Sequence, residues 1–365
     1  MDKVAVVGDL HLGIAPSNIS KFETLFESQK RFFSECLIPT LKARGITTIF
    51  FTGDLFDQRR RADIKILQYA EGLFENELKD FTCYVLQGNH DTYLKDDLSI
   101  TSLSLIWSKP NVKAITKITP LKTDNGNILL VPWLTSTLET SFIENVEKIK
   151  GKYRYAFGHF ETFGFPYEAG AISTHGLEPS MLFDAFENTI SGHFHTASER
   201  RSGNSVIHYV GTPCQMSFGD VGEEKGFWIY DFKTANKEFI KNEVSAEFIK
   251  LRSIEELSQY ETLENKFVEF YYSAKLKSEE LFLIEKEVTS KNPISYKLIV
   301  NDINNISDLI NSSDDAKVQN FEAMASAINS DDIVSMTRVF LLSEPYDDEE
   351  MVLDLISELK IKKHG

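Results

Sequence analysis

Residues 46–57 read ITTIFFTGDLFD, and this stretch decides the fold. Ile46 to Thr52 is an unbroken apolar and β-branched run, too uniform for a strand with one wet face. It predicts a central strand of a sheet covered on both sides. Gly53-Asp54-Leu55-Phe56-Asp57 follows at once, so the chain turns sharply and leaves two carboxylates at the strand's carboxyl end. Upstream, Lys3 to Gly8 is a similar short run ending in Asp9. Ile19 to Ala43 carries Phe22, Leu25, Phe26, Phe33, Leu37 and Leu41 at helical spacing. Downstream, Ala62 to Leu78 repeats through Ile66, Ala70, Leu73, Phe74 and Leu78, and Phe81 to Leu86 reads as a third strand. The order is βαβαβ, and further strand-like runs at Ile128 to Pro132, Tyr153 to Phe157, Thr189 to Ser191, Val206 to Val210 and Gly226 to Asp231 extend a layered α/β domain to about residue 235.

Length and charge set the frame around that domain. A chain of 365 residues predicts two or three domains, and 42% hydrophobic with 26% charged residues is a globular composition. Residues 246–300 alternate strands (Phe248 to Leu251, Phe267 to Tyr272, Tyr296 to Val300) with helices, one opening on Ser253 to Glu256 and one spanning Ser278 to Ser290, as in a small separate α/β domain. Residues 301–365 begin with a linker rich in Asn, Ser and Asp and continue as helices over Ala316 to Ile328 and from Asp347 to about Lys360. The net charge of −16 argues against a non-specific nucleic-acid coat, but −9 of it falls in residues 301–365. Cys36, Cys83 and Cys214 form no metal or redox pair, and no apolar run approaches the length of a membrane span. A reducing cytoplasm is the expected compartment.

Five histidine- and acid-bearing motifs each follow a predicted strand: Asp9-Leu10-His11, Gly53 to Asp57, Gly88-Asn89-His90-Asp91, Gly158-His159 and Gly192-His193-Phe194-His195. Alone, each also reads as an ordinary turn, helix cap or strand pair. Together, at the carboxyl ends of strands where open α/β sheets gather their ligands, they point to one site. Oxygen and imidazole donors without thiolate suit Mn, Fe or Zn. Asp9, His11, Asp54, Asn89, His159, His193 and His195 are too many ligands for one ion, so two bridged ions of the kind that clamp a phosphate ester are expected.

The series DLH, GDLFD, GNHD, GHF and GHFH resembles the calcineurin-like metallophosphoesterase superfamily over residues 4 to about 218. Within it, FFSECLIPTLKARGITTIFFTGDLFD is similar to the SbcD-type DNA nuclease subunit. GHFETFGF, HGLEP, GHFHTAS, YVGTPCQMSFGD and GFWIYD resemble its tailed-phage branch, the recombination endonuclease nuclease subunit. The resemblance implies a layered β-sandwich flanked by helices, with a small α/β cap and a C-terminal helical tail. The corresponding division is a nuclease domain at 1–235, a cap or DNA-binding domain at 246–300, and a linker with docking helices at 301–365. It implies that Asp9, His11 and His195 hold one metal, that Asn89, His159 and His193 hold the other, and that Asp54 bridges them; of the divalent ions manganese is the one favoured, though the sequence does not fix the native metal. His90 would serve the leaving oxygen, with the Asp57 carboxylate orienting it.

The same resemblance implies DNA as substrate, an SbcC-like ATPase partner docked on the C-terminal region, and a homodimer through helices at Ala62 to Leu78 and Leu94 to Trp107. If the gene belongs to a phage, the compartment is the host cytoplasm. Arg59, Arg60 and Arg61, and likewise Arg200 and Arg201, either form a solvated surface or seat flanking phosphates of DNA. Thr196-Ala197-Ser198 replaces the Pro-Gln that many bacterial relatives carry after GHFH. His175 and His208 read as a loop residue and a packed strand residue, and His364 as tail. The competing reading is a small-substrate phosphodiesterase or phosphatase on the same fold. GDLFDQR and GNHD depart from the GD-x-V-D-R-G and GNHE of protein phosphatases. A metal-free binding module is disfavoured by the intact ligand set.

Overall fold

The computed structural model describes residues 2–14, 19–60, 63–168, 170–273 and 275–300. The expected C-terminal helices, His364 and Arg61 lie outside the described residues.

Two six-stranded sheets stack face to face. The first runs in the order Asn236–Lys241, Gly226–Asp231, Lys3–Val7, Thr48–Phe51, Thr82–Leu86, Val112–Ile115, its last four strands parallel. Thr48–Phe51 is central and buried along its whole length, as the uniform run predicts. The second runs Ser198–Ser202, Ser205–Tyr209, Asn188–Ser191, Tyr155–Gly158, Ile128–Val131, Thr119–Leu121, with its middle four strands parallel. Alternation along each strand sorts side chains to opposite faces. Val4, Val6, Phe50, Leu86, Leu130, Phe157 and Ile190 meet between the sheets. The Phe50 and Phe157 rings stack there at 4.5 Å, and truncating either to alanine is worth about 3–5 kcal/mol.

Helices close the two outer faces. Ala5, Val7, Ile49, Phe51 and Val85 pack with Phe26, Phe33, Leu37 and Leu41 of the long helical segment that follows the first strand, and with Ile66, Ala70 and Phe74 of the next. That first segment is α-helical over Ile19–Arg31, π-helical over Phe32–Leu37 and α-helical again over Ile38–Arg44. On the other side, Leu129, Val131, Ala156 and Ile207 pack with Phe142 and Val146 of Ser136–Ile149 and with Leu182 of Pro179–Ala185. The result is a helix–sheet–sheet–helix sandwich. Both parallel blocks bring their carboxyl ends, and so all five motifs, to one edge.

One expectation is corrected. Leu94 to Trp107 is not a helix: Thr92–Leu94 and Asp97–Thr101 form an antiparallel hairpin, followed by a short 3-10 turn at Ser102–Leu105. The β-branched Thr92, Ile100 and Thr101 favour strand, Lys95 and Asp96 make the turn, and the Thr101 hydroxyl accepts from Leu103 N–H to start the 3-10 turn.

Contacts divide the chain into two compact units. The first comprises Met1–Ile249, Leu263–Phe267 and Pro293–Ser295. The second comprises, of the described residues, Lys250–Thr262, Val268–Asn292 and residues 296–300, and it buries Leu257, Val268, Phe270, Ile284 and Val288. A three-stranded sheet ordered Glu247–Leu251, Lys266–Tyr272, Ser295–Val300 and the helix Ser278–Ser290 appear where the sequence places them. Among the described residues no helix is long and apolar enough to cross a membrane.

Candidate metal centre

The motif residues leave the strand ends on strained backbone. His11, Asp54 and His193 adopt φ of 44°, 50° and 83°, a left-handed region that costs a non-glycine residue about 1–3 kcal/mol and persists only where the surroundings enforce it. Three features enforce it. The Asp54 carbonyl accepts the N–H groups of Leu10 and His11 at 3.1 and 2.9 Å, tying the first two motifs together. Gln29, buried on the first helix, donates to the carbonyls of Leu10 and His11 at 2.7 and 3.0 Å. Gly88 and Gly192 let neighbouring chains close in, since a Cβ on Gly88 would collide with Asp54 and one on Gly192 with Asp9.

Two donor groups result. In one, Asp9, His11 and His195 converge within 4.8 Å, and in the other Asp54, His159 and His193 do the same. His11 Nε2 faces His195 Nε2 at 3.0 Å and lies 3.6 Å from Asp54 Oδ2, which is 3.4 Å from His159 Nε2. Asn89 Oδ1 accepts from His159 Nε2 and His193 Nδ1, both at 2.9 Å. Thus Asp54 stands between the groups and Asn89 joins the second. All seven residues expected at a metal centre meet here. His90 and Asp57 lie against them, with His11, Asp57 and His90 forming a third cluster.

The Asp57 carboxylate, however, is placed otherwise than expected. It lies 3.3 Å from His11 Nδ1, while His90 Nδ1 bonds the Asp57 backbone carbonyl at 2.6 Å. The His90 N–H donates to Asp54 Oδ1 at 2.7 Å. Burial lowers the His90 pKa and the half-buried Arg59 adds a smaller push in the same direction, while Arg60 is exposed over the Tyr93 ring. Arg200 and Arg201 are not brought to the site. Arg200 stacks on Phe165 and donates to the Gly164 carbonyl, whereas Arg201 pairs with Glu199 and sits opposite Val206, toward the far end of its strand pair. His175 is an exposed loop residue and His208 a buried strand residue, as read.

Sequence reasoning assigned no role to Asp91, Trp133 or Gln29. The buried Asp91 carboxylate accepts from Gly88, Leu55 and Phe56 N–H at 2.9, 3.2 and 3.2 Å, stapling GDLFD to GNHD. Burial pushes its pKa up to about 6. Trp133 packs its indole 5.1 Å from the His193 ring. Only Asp91, inside GNHD, carried a visible signal.

The electrostatics fit divalent cations. Asp9 and Asp54 are buried, and among the described residues only histidines pair with them. The Asp57 carboxylate at 3.3 Å from His11 Nδ1 orients this buried ring so that Nε2 faces His195 and Asp54. Burial pushes the Asp9 carboxyl up to about 7 against the pull of His159. Burial would also raise Asp54, but His159, His11 and His90 outweigh it and hold that carboxyl far below the usual range. His195 is driven down to about 3 by burial and by His11. His159 is raised to about 9, because Asp54 and Asp9 overcome its burial. Its Nδ1 bonds the Thr52 carbonyl at 2.8 Å, the arrangement that fixes a ligating imidazole and leaves Nε2 for a metal.

A pH dependence follows. The folded pKa of His159 lies above its unfolded value of about 6.5, so its contribution is full below that pH and is lost as pH rises to about 9. Denaturant titrations in EDTA should show metal-free stability falling between pH 6.5 and 9. A flat profile would contradict the buried imidazolium.

Comparison with known proteins agrees with the geometry. The Calcineurin-like phosphoesterase family profile matches residues 2–197. The chain belongs to that family and is a hydrolase by descent. More particularly, it is 32% identical over 243 residues to Exonuclease subunit 1 of Enterobacteria phage T4, covering 66% of this chain and 68% of that protein. Two solved structures match at 11% identity. GAP50, the anchor in the inner membrane complex of Plasmodium, aligns over 81% of this chain and 96% of that one with a TM-score of 0.38. A Vps29 from Entamoeba histolytica aligns over 66% and 99% with a TM-score of 0.28.

Proposed function

We propose that the chain is the nuclease subunit of a DNA-processing complex, hydrolysing phosphodiester bonds with two divalent cations, most simply manganese. The observation that carries this reading is the meeting of two donor groups, Asp9, His11, His195 and Asn89, His159, His193, on either side of Asp54. Bound there, the cations would supply charge stabilisation at the phosphoryl oxygens and a nucleophile at neutral pH.

The chain's own groups do the rest. Asp54 is locked by the His90 N–H, and Asp91 holds the two loops that carry them. His90 commits Nδ1 to the Asp57 carbonyl, so Nε2 is the nitrogen left for substrate. Burial keeps this ring neutral despite Asp54, and an arriving phosphodiester anion favours the imidazolium, whose Nε2–H then serves the departing oxygen. Arg59 and Arg60 lie on the His90 side and would contact flanking phosphates.

The T4 relative is named as a subunit, which supports a partner. We assign that partner, an SbcC-like ATPase, to residues 301–365, and the cap role to residues 246–300, beyond a nuclease domain at 1–235. Self-association is assigned to the segments Ala62 to Leu78 and Leu94 to Trp107, in which Ile64, Ile100 and Trp107 are 81%, 61% and 55% exposed.

Linear duplex DNA, single-stranded DNA and a phosphomonoester, each incubated with the EDTA-stripped protein with and without manganese, test the reading. The expected result is manganese-dependent degradation of DNA. Hydrolysis of the monoester alone would replace it with a phosphatase.

A further inference from the structure

We infer that Lys225 is a positioning residue for His195, acting through an ionic clamp on the backbone of the GHFH loop; the inference rests on the reading of His195 as a metal ligand. The Lys225 side chain is 5% exposed. Its Nζ lies 3.0 Å from the His195 carbonyl oxygen, 2.7 Å from Asp220 Oδ1 and 2.6 Å from Glu223 Oε2. An ammonium has three N–H donors, so each has an acceptor and the head group is locked.

The partners are locked in turn. Asp220 Oδ2 accepts the N–H groups of Met216 and Ser217 at 2.9 and 3.0 Å. Glu223 Oε1 accepts the hydroxyl of Thr196, the residue after His195, at 2.7 Å. Thr212 N–H donates to the same His195 carbonyl at 3.2 Å. The loop is therefore held on its downstream side, two residues past His193 and its φ of 83°. Strained backbone relaxes when a restraint is removed, and His195 is the side chain that would move. A buried ion cluster is poor value for stability alone, because desolvation offsets its attraction, so its stability does not account for it. Asp220, Glu223 and Lys225 also lie beyond the segment matched by the family profile, which ends at residue 197.

The test is calorimetric titration of manganese into EDTA-stripped, full-length protein. Wild type should bind two ions. Lys225→Gln should weaken one of the two sites by about 10–100-fold, the usual effect of removing a group that orients a ligand, and leave the other unchanged. Lys225→Arg, which restores charge and donors, should recover most of the loss. Lys109→Gln removes an ammonium that bridges Glu71 and Glu75 away from the motifs, and should leave both sites intact. If Lys225→Gln does not fold, Glu223→Gln keeps the ammonium and a bond to Thr196, and should weaken the same site less. Two sites of wild-type affinity in the folded Lys225 or Glu223 variant would overturn the clamp. Wild type that binds no manganese would overturn the ligand reading itself, and the clamp with it.

Discussion

Asp54→Asn is expected to remove at least one of the two metals and to lower DNA hydrolysis by more than about 10³-fold, the upper end for deleting one electrostatic stabiliser from a site. Asparagine keeps an oxygen for the His90 N–H and almost the same volume, so the fold should survive. What goes is the negative charge that faces His11 at 3.6 Å and His159 at 3.4 Å. The same change should shift the metal-free protein in the opposite sense: without Asp54, burial wins at His159, its pKa falls, and the loss of stability between pH 6.5 and 9 should flatten. Metal content by mass spectrometry, read beside the denaturation profile, checks both. Full metal occupancy in Asp54→Asn would remove this residue from the bridging role.

His90→Gln should separate the two halves of the chemistry. The His90 side chain belongs to neither of the two main donor groups: its ring is held by the Asp57 carbonyl, and only its backbone N–H reaches Asp54. Glutamine retains the backbone N–H, so Asp54 stays in place and the metal content should match wild type. Hydrolysis should fall by about 10²–10⁴-fold, the usual contribution of a positioned proton donor. The comparison is a single-turnover assay on DNA with metal counted in the same sample. Loss of metal together with activity would show that His90 acts by shaping the centre instead.

Much of this was legible in the sequence because parallel strands buried on both faces leave a plain trace. Ile46 to Thr52 reads as a central strand, and five polar motifs placed directly after such strands point to one edge of the sheets. What stayed hidden depends on the third dimension. The resemblance implies that Asp57 is near His90, but not that its carboxylate turns to His11 while its carbonyl takes His90. Arg201 follows His195 closely in sequence, yet the strand Ser198–Ser202 carries it away from the site. The helix at Leu94 to Trp107 was implied by the resemblance alone, and the turn at Lys95 and Asp96 makes that segment a hairpin instead. Lys225 gave no signal at all, since its partners are a backbone carbonyl and two carboxylates gathered by folding.

On the proposed reading, seven side chains form one centre for two metals. Anomalous diffraction from crystals grown with manganese tests it most directly. Two peaks about 3.5–4 Å apart are predicted, both touching Asp54, one beside Asp9, His11 and His195 and the other beside Asn89, His159 and His193. A single peak, or two that leave Asp54 without contact, would contradict the account.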